Sequence, residues 1–124
     1  MLLEGELSHR VIGAAIEVHR ELGPGLLESA YEESLSHELS LRGLRFQRQV
    51  EMPVRYKNVK LDCGYRLDLL VEESLILELK SVEEIAPIHN AQLLTYLRLS
   101  GKHVGLLLNF NVTVMKDGIV RMVL

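Results

Sequence analysis

Residues 65–82 read YRLDLLVEESLILELKSV, and the fold turns on where their charges fall. Two apolar runs of strand length, about Gly64–Val71 and Leu75–Val82, flank the polar triplet Glu72–Ser74. A strand buried on both faces carries no charge, and a half-exposed strand alternates apolar with polar. This stretch does neither, because Asp68, Glu78 and Lys80 interrupt runs that are otherwise leucine, isoleucine and valine. Side chains alternate across a strand, so Asp68 and Leu70 share one face, and Leu67 and Leu69 the other. Ile76, Glu78 and Lys80 likewise share a face, opposite Leu75, Leu77 and Leu79. With a turn over Glu72–Ser74, Val71 pairs with Leu75 and Asp68 falls opposite Glu78. Directly opposed Cβ atoms lie about 5 Å apart, so two carboxylates there repel unless a positive charge sits between them.

A divalent cation supplies such a charge. Mg²⁺ is a hard ion held by carboxylate and water oxygens, usually with one or two protein carboxylates. Lys80 lies two residues beyond Glu78 on the same face, roughly 6–7 Å along the strand. From there it can assist an attacking water or neutralise charge developing on a phosphate. Asp68 with Glu78-Leu79-Lys80 therefore has the residue types and spacing for metal-assisted phosphodiester hydrolysis. D-x9-E-x-K also recurs by chance, and the blander reading makes Glu78 and Lys80 solvated residues on the open face of a sheet.

Working outward, LSHRVIGAAIEVHREL has Leu7, Val11, Ile12, Ala15, Val18 and Leu22 at helical spacing. Gly23-Pro24-Gly25 stops that helix and starts another, with Leu27, Tyr31, Leu35 and Leu39 spaced by four and Gly43 as its stop. FQRQVEMPVRYK reads as a strand toward a sheet edge, since Pro53 donates nothing to a ladder. Ala86–Ser100 reads as a helix with Ala91, Leu94 and Leu97 on one face and His89, Gln92 and Tyr96 on another. HVGLLLNF suits a strand covered on both sides. Asp117-Gly118 between two β-rich runs signals a C-terminal β-hairpin. The expected order is α-α-β-β-β-α-β-β-β, an α/β (α+β) class.

At 124 residues one domain over 1–124 is expected, long enough to bury about two-thirds of its unfolded surface. Apolar content of 48% and charged content of 25% are ordinary for a soluble globular chain. No run approaches a membrane span of ~20 residues. MLLEGELSHR has no basic region followed by an apolar core, so no secretory signal is expected. Cys63 is the lone cysteine and can form no internal disulfide, which fits a reducing, cytoplasmic setting. The net charge of −3 argues against strong non-specific attraction to nucleic acid. Its distribution is uneven, however. Arg42, Arg45, Arg48, Arg55, Lys57 and Lys60 face only Glu51 within 42–60, giving that strip +5 and the remainder −8. Such a strip binds phosphate, or is simply solvated. His9, His19, His37 and His103 show no metal-ligand spacing. His89 suits a helix N-terminus, and Cys63 a small strand residue.

Two further motifs stand beside the opening stretch. Gly25-Leu26-Leu27-Glu28-Ser29-Ala30-Tyr31 reads G-x-x-E-x-x-Y, and Gln92-Leu93-Leu94-Thr95-Tyr96 reads Q-x-x-x-Y. With Asp68 and Glu78-Leu79-Lys80 they make the chain resemble the small bacterial GxxExxY family, grouped with the PD-(D/E)xK nuclease superfamily. The resemblance covers nearly the whole sequence. It implies a restriction-endonuclease-like core, a mixed central sheet flanked by helices. It further implies that Glu28 joins Asp68, Glu78 and the Leu79 main-chain carbonyl around the metal, with Asp68, Glu78 and Lys80 catalytic. Gln92 and Tyr96 match residues that position the scissile strand in RecB-type nucleases. Leu67 stands where proline often precedes the aspartate. The expected cofactor is Mg²⁺, with Mn²⁺ as substitute, and the expected partner is DNA or RNA. A homodimer suits a domain with so little surface for gripping a duplex. Against this stands a non-catalytic module of the same fold that binds nucleic acid or a protein. Taken alone, Tyr31 fits a core aromatic better than a substrate contact, and Glu28 also suits a helix N-terminus by charge.

Overall fold

The computed structural model describes residues 4–124. The expectation about a secretory signal rests in part on residues 1–3, outside the described residues. Helix α1 (Glu4–Leu22) and helix α2 (Glu28–Leu41) lead into strand β1 (Phe46–Glu51) and a short hairpin, β2 (Val54–Tyr56) and β3 (Val59–Leu61). Strands β4 (Arg66–Val71) and β5 (Leu75–Lys80), helix α3 (Pro87–Ser100) and strands β6 (Val104–Asn109) and β7 (Ile119–Val123) complete the chain.

The main sheet has five strands in the order β1-β4-β5-β6-β7. All its neighbours are antiparallel except β5 and β6, which run parallel with α3 as their crossover. On one face α1 and α2 bury Leu7, Val11, Val18, Tyr31, Leu35 and Leu39 against Leu69, Leu77, Leu79 and Leu106. On the other, α3 buries Leu93, Tyr96 and Leu97 against Leu70, Ile76 and Leu107. Every residue of β6 is buried, as its continuous apolar run predicts. Among the described residues no helix is long and apolar enough to cross a membrane.

Several expectations need correction. Leu22 is exposed; the α1 stripe ends with Val18 and the buried His19, whose Nε2 bonds the Val112 carbonyl at 2.7 Å. The inner face of α3 carries Leu93, Tyr96 and Leu97 rather than Ala91 and Leu94, because the helix lies on Gly105 of β6. FQRQVEMPVRYK is two strands. Pro53 ends β1 at the sheet edge, and Val54–Tyr56 folds back on Val59–Leu61 across Lys57 and Asn58, both at positive φ. The C-terminal pair forms differently as well. Asn111–Val114 is not a strand, and Asp117-Gly118 lies in a 3₁₀ turn (Met115–Gly118), so β7 pairs directly with β6. Met115 buries into the core and pulls that loop inward. Gly118 is required by proximity rather than by a hairpin turn, since a Cβ there would run into the Asn109 carbonyl.

Gly118→Ala should therefore lower stability by about 1–3 kcal/mol in urea titration, as overpacking does. Gly5→Ala, in α1 with open space around it, should be neutral or raise stability by up to about 1 kcal/mol.

Candidate metal centre

The β4–β5 hairpin has the register expected of a Glu72–Ser74 turn: Val71 pairs with Leu75, Leu70 with Ile76 and Leu69 with Leu77. The turn holds Glu72 and Glu73 at positive φ, and the Glu72 carboxylate accepts the Arg45 amide at 2.7 Å. The next position in that register is Asp68 opposite Glu78. There the ladder stops and side chains take its place. Asp68 N–H donates to Glu78 Oε2 at 2.9 Å, and Leu79 N–H donates to Asp68 Oδ2 at 2.8 Å. In an extended strand N–H and C=O share an edge, so the Leu79 carbonyl projects to this side too.

The break extends into β1. The pairs Arg48↔Leu69 and Val50↔Leu67 bracket Gln49 and Asp68, and Gln49 adopts φ +52°. Both strands turn over at this point. Phe46 packs on the α1–α2 face but Val50 on the α3 face, while Leu69 and Leu67 divide in the same way. Leu67 thus shares a face with Leu70, not with Leu69 as strict alternation would place it.

Glu78 is only 4% exposed, which excludes a solvated open-face role for its charge. Burial first, then the Asp68 charge, raises its pKa to about 8. Asp68 is also raised, chiefly by burial, with the Leu79 amide and Lys80 acting against that and Glu32 and Glu28 adding to it. The ammonium of Lys80 therefore lies within electrostatic reach of both carboxylates.

Glu28 opens α2 and its place is fixed from both sides. The Tyr31 hydroxyl donates to the Gly23 carbonyl at 2.6 Å and accepts Leu26 N–H at 3.1 Å. Ser81, next to Lys80, donates to the Leu26 carbonyl at 2.6 Å. Tyr31 itself is fully buried and stacked on Phe110, with ring centroids 4.5 Å apart, so it is a core residue that clamps the loop. Gly25 supplies φ +99° in that loop.

Sequence reasoning missed Glu32. It lies one turn beyond Glu28 on α2, and its charge acts on Asp68 more strongly than Glu28 does. Arg48 and Gln49 hold it at 2.8 and 2.7 Å. The i,i+4 spacing from Glu28 was visible; the cross-chain partners were not. Asn109 was missed too. Buried beside Lys80 in the β5–β6 register, it bonds both main-chain groups of Val82 and so fixes the chain leaving β5.

On α3, Tyr96 is buried, and burial first, then the charge of Glu78, raises its hydroxyl above the usual tyrosine range, with Asp68 adding to it. Tyr96 of the Q-x-x-x-Y pair is thus within electrostatic reach of the acids, and Gln92 lies one turn before it on α3. His89 does not join them, since its Nδ1 accepts the Ala86 amide at 3.0 Å as a helix cap. Cys63 is exposed.

The donor set suits a hard divalent ion: the buried Glu78 and the half-buried Asp68 offer carboxylate oxygens, with no thiolate or imidazole beside them. Among the described residues no three acidic, histidine or cysteine side chains converge on one point. The residues that could hold such an ion are Asp68 and Glu78, with Glu28 or the Leu79 carbonyl as a third donor.

The Glu78 shift has a definite sign. A carboxyl raised from 4.5 to about 8 makes the native state bind more protons than the unfolded chain between those values. Stability in EDTA should therefore fall as pH rises from about 4.5 to about 8. Urea midpoints at the two ends of that range should show the fall in wild type and a flatter profile in Glu78→Gln.

The sequence model of one family, described as the PD-(D/E)XK nuclease superfamily, matches residues 5–122. No curated protein and no solved structure matches the chain. The match spans almost the full length, and the mixed sheet opens around an aspartate and an E-x-K tripeptide. The chain belongs to the PD-(D/E)XK nuclease superfamily.

Proposed function

We propose that this protein is a divalent-cation-dependent nuclease of the GxxExxY kind, hydrolysing phosphodiester bonds of DNA or RNA with Mg²⁺, or with Mn²⁺ in its place. The observation that carries this reading is the Asp68–Glu78 pair at the break in the sheet, Glu78 buried and Asp68 half-buried, with Lys80 beside it. A buried carboxylate with a second one beside it is costly to a fold unless a cation uses them. In this reading residues 1–124 form one domain of a bacterial cytoplasmic enzyme.

Asp68 and Glu78 would hold the ion, with Glu28 and the Leu79 carbonyl completing its protein ligands. A bound divalent ion supplies Lewis acidity to the phosphoryl group and makes water acidic enough to attack at neutral pH. Lys80 places a positive charge beside the two carboxylates, where it meets the negative charge that grows on the phosphate. Asn109 and Ser81 keep that end of β5 in place. Gln92 and Tyr96, one helical turn apart on α3, would hold the scissile strand.

Labelled single- and double-stranded DNA and RNA, incubated with Mg²⁺, Mn²⁺ or EDTA, test the reading. Cleavage should require the metal and drop about 10²–10³-fold in Lys80→Ala, the scale of losing one electrostatic stabiliser. Calorimetry should show Mg²⁺ or Mn²⁺ binding that Glu78→Ala abolishes. Cutting that persists in Lys80→Ala would mark a contaminant. Nucleic-acid or protein binding with no cleavage under any of these ions would establish the non-catalytic module instead.

A further inference from the structure

Strand β1 carries an anomaly beside the acids. Neighbouring residues of a strand point to opposite faces. Arg48 and Gln49 nonetheless grip one side chain, that of Glu32 on α2. Arg48 Nε and Nη2 donate to its Oε2 at 3.1 and 2.8 Å, and Gln49 Nε2 donates to its Oε1 at 2.7 Å. The left-handed φ of +52° at Gln49 turns both side chains the same way. A residue with a Cβ seldom holds that conformation, because the Cβ crowds the carbonyl oxygen that follows.

Gln49 stands opposite Asp68, between the pairs Arg48↔Leu69 and Val50↔Leu67. Asp68 gives its amide to Glu78 rather than to β1. The side-chain bonds to α2 supply the restraint instead. The Glu32 side chain is only 12% exposed, so these bonds are largely screened from water. Arg48 also pairs with Glu33 at 2.8 Å, which ties β1 to the helix a second time. With three bonds on its two oxygens and a guanidinium beside it, the Glu32 carboxylate has little left to offer a cation.

We propose that the grip of Arg48 and Gln49 on Glu32 is a latch that keeps the sheet broken at Asp68. Release of Gln49 would let β1 return to ordinary alternation, and β4, paired to it on both sides of the break, would follow. Asp68 would then lose the turn that sets its carboxylate on the Leu79 amide beside Glu78. Glu32 and Gln49 are positioning residues for the acid pair, not ligands. A site held open in this way has its acids in place before a cation arrives, so binding does not have to reorganise the sheet. The consequence for a metal rests on the nuclease reading above; the latch itself does not.

Amide hydrogen exchange on the full chain in EDTA tests the latch without any metal. The Asp68 and Leu79 amides report the break, and those of Leu106, Leu107 and Leu108 in β6 report the fold as a whole. Glu32→Ala and Gln49→Ala should speed exchange at Asp68 and Leu79 about ten-fold or more relative to β6, the scale of losing a hydrogen bond to a charged group. Gln49→Gly should stay near wild type, because glycine takes φ +52° without a Cβ clash and needs no grip. Calorimetry with Mn²⁺ should follow the same order. Affinity should fall about 10–100-fold in the two alanine variants, the usual cost of losing a group that orients a metal ligand, and be largely kept in Gln49→Gly. Unchanged exchange at Asp68 and Leu79 in the alanine variants overturns the latch. So does acceleration shared equally by β6, which marks a general loss of stability, and so does glycine behaving as alanine does. If Glu32→Ala abolishes Mn²⁺ binding with exchange unchanged, Glu32 is a ligand and the latch falls. Wild type that binds neither Mg²⁺ nor Mn²⁺ removes the nuclease reading, and the exchange experiment still decides the latch.

Discussion

Two carboxylates stand where β4 and β5 would otherwise have continued their main-chain ladder, and the rest of the structure accommodates them. Asp68 Oδ2 takes the Leu79 amide proton and Glu78 Oε2 takes that of Asp68. Each bond satisfies a buried main-chain donor that the interrupted ladder leaves over. In exchange the sheet accepts one buried acid, Glu78, beside a half-buried one, Asp68. Burial and mutual repulsion favour a proton on the pair, as the raised Glu78 shows. The sheet end is therefore open in geometry and short of positive charge, with Lys80 as the nearby cation.

Around that break, neighbouring elements act as braces. On one side the G-x-x-E-x-x-Y segment works as a bracket. Gly25 provides the turn, the buried Tyr31 ties the turn to itself, and Ser81 ties it to the end of β5. Glu28 follows that bracket as the first residue of α2, with Glu32 one turn behind it. On the other side α3 sits close because Gly105 leaves room for Leu93, and this buries Tyr96 against the sheet. The left-handed Gln49 turns β1 together with β4, so the edge strand follows the break instead of resisting it. Its side chain meanwhile holds Glu32. Local backbone strain of this sort costs on the order of 1–3 kcal/mol and persists only where surroundings enforce it.

The helices and central strands were legible because their signals are local. Apolar spacing located α1 and α2, and the length of the polar triplet between two apolar runs fixed the β4–β5 register, hence the opposition of Asp68 and Glu78. What failed did so where a distant group outweighs the local pattern. Asp117-Gly118 resembles a hairpin turn, but the close approach of the Asn109 carbonyl and the burial of Met115 make it a 3₁₀ turn. Leu94 and Ala91 fit a helical stripe, yet the side of α3 that meets Gly105 is the one with Leu93.

The sequence by itself determined which residues are chemically capable: the aspartate, the E-x-K tripeptide, the glutamate and tyrosine of the first motif, and the glutamine–tyrosine pair. These follow from residue type and short-range spacing, which a chain carries whether folded or not. Only the tertiary structure decided that Asp68 interrupts strand alternation, that Glu32 acts on Asp68 more strongly than Glu28, and that Asn109 and Ser81 hold the end of β5. It alone set the Tyr65 ring edge-on against Tyr96. Those facts depend on contacts between residues up to 55 positions apart, such as Ser81 with Leu26. No periodicity encodes them, because they arise when separate elements pack and their buried polar groups must find partners.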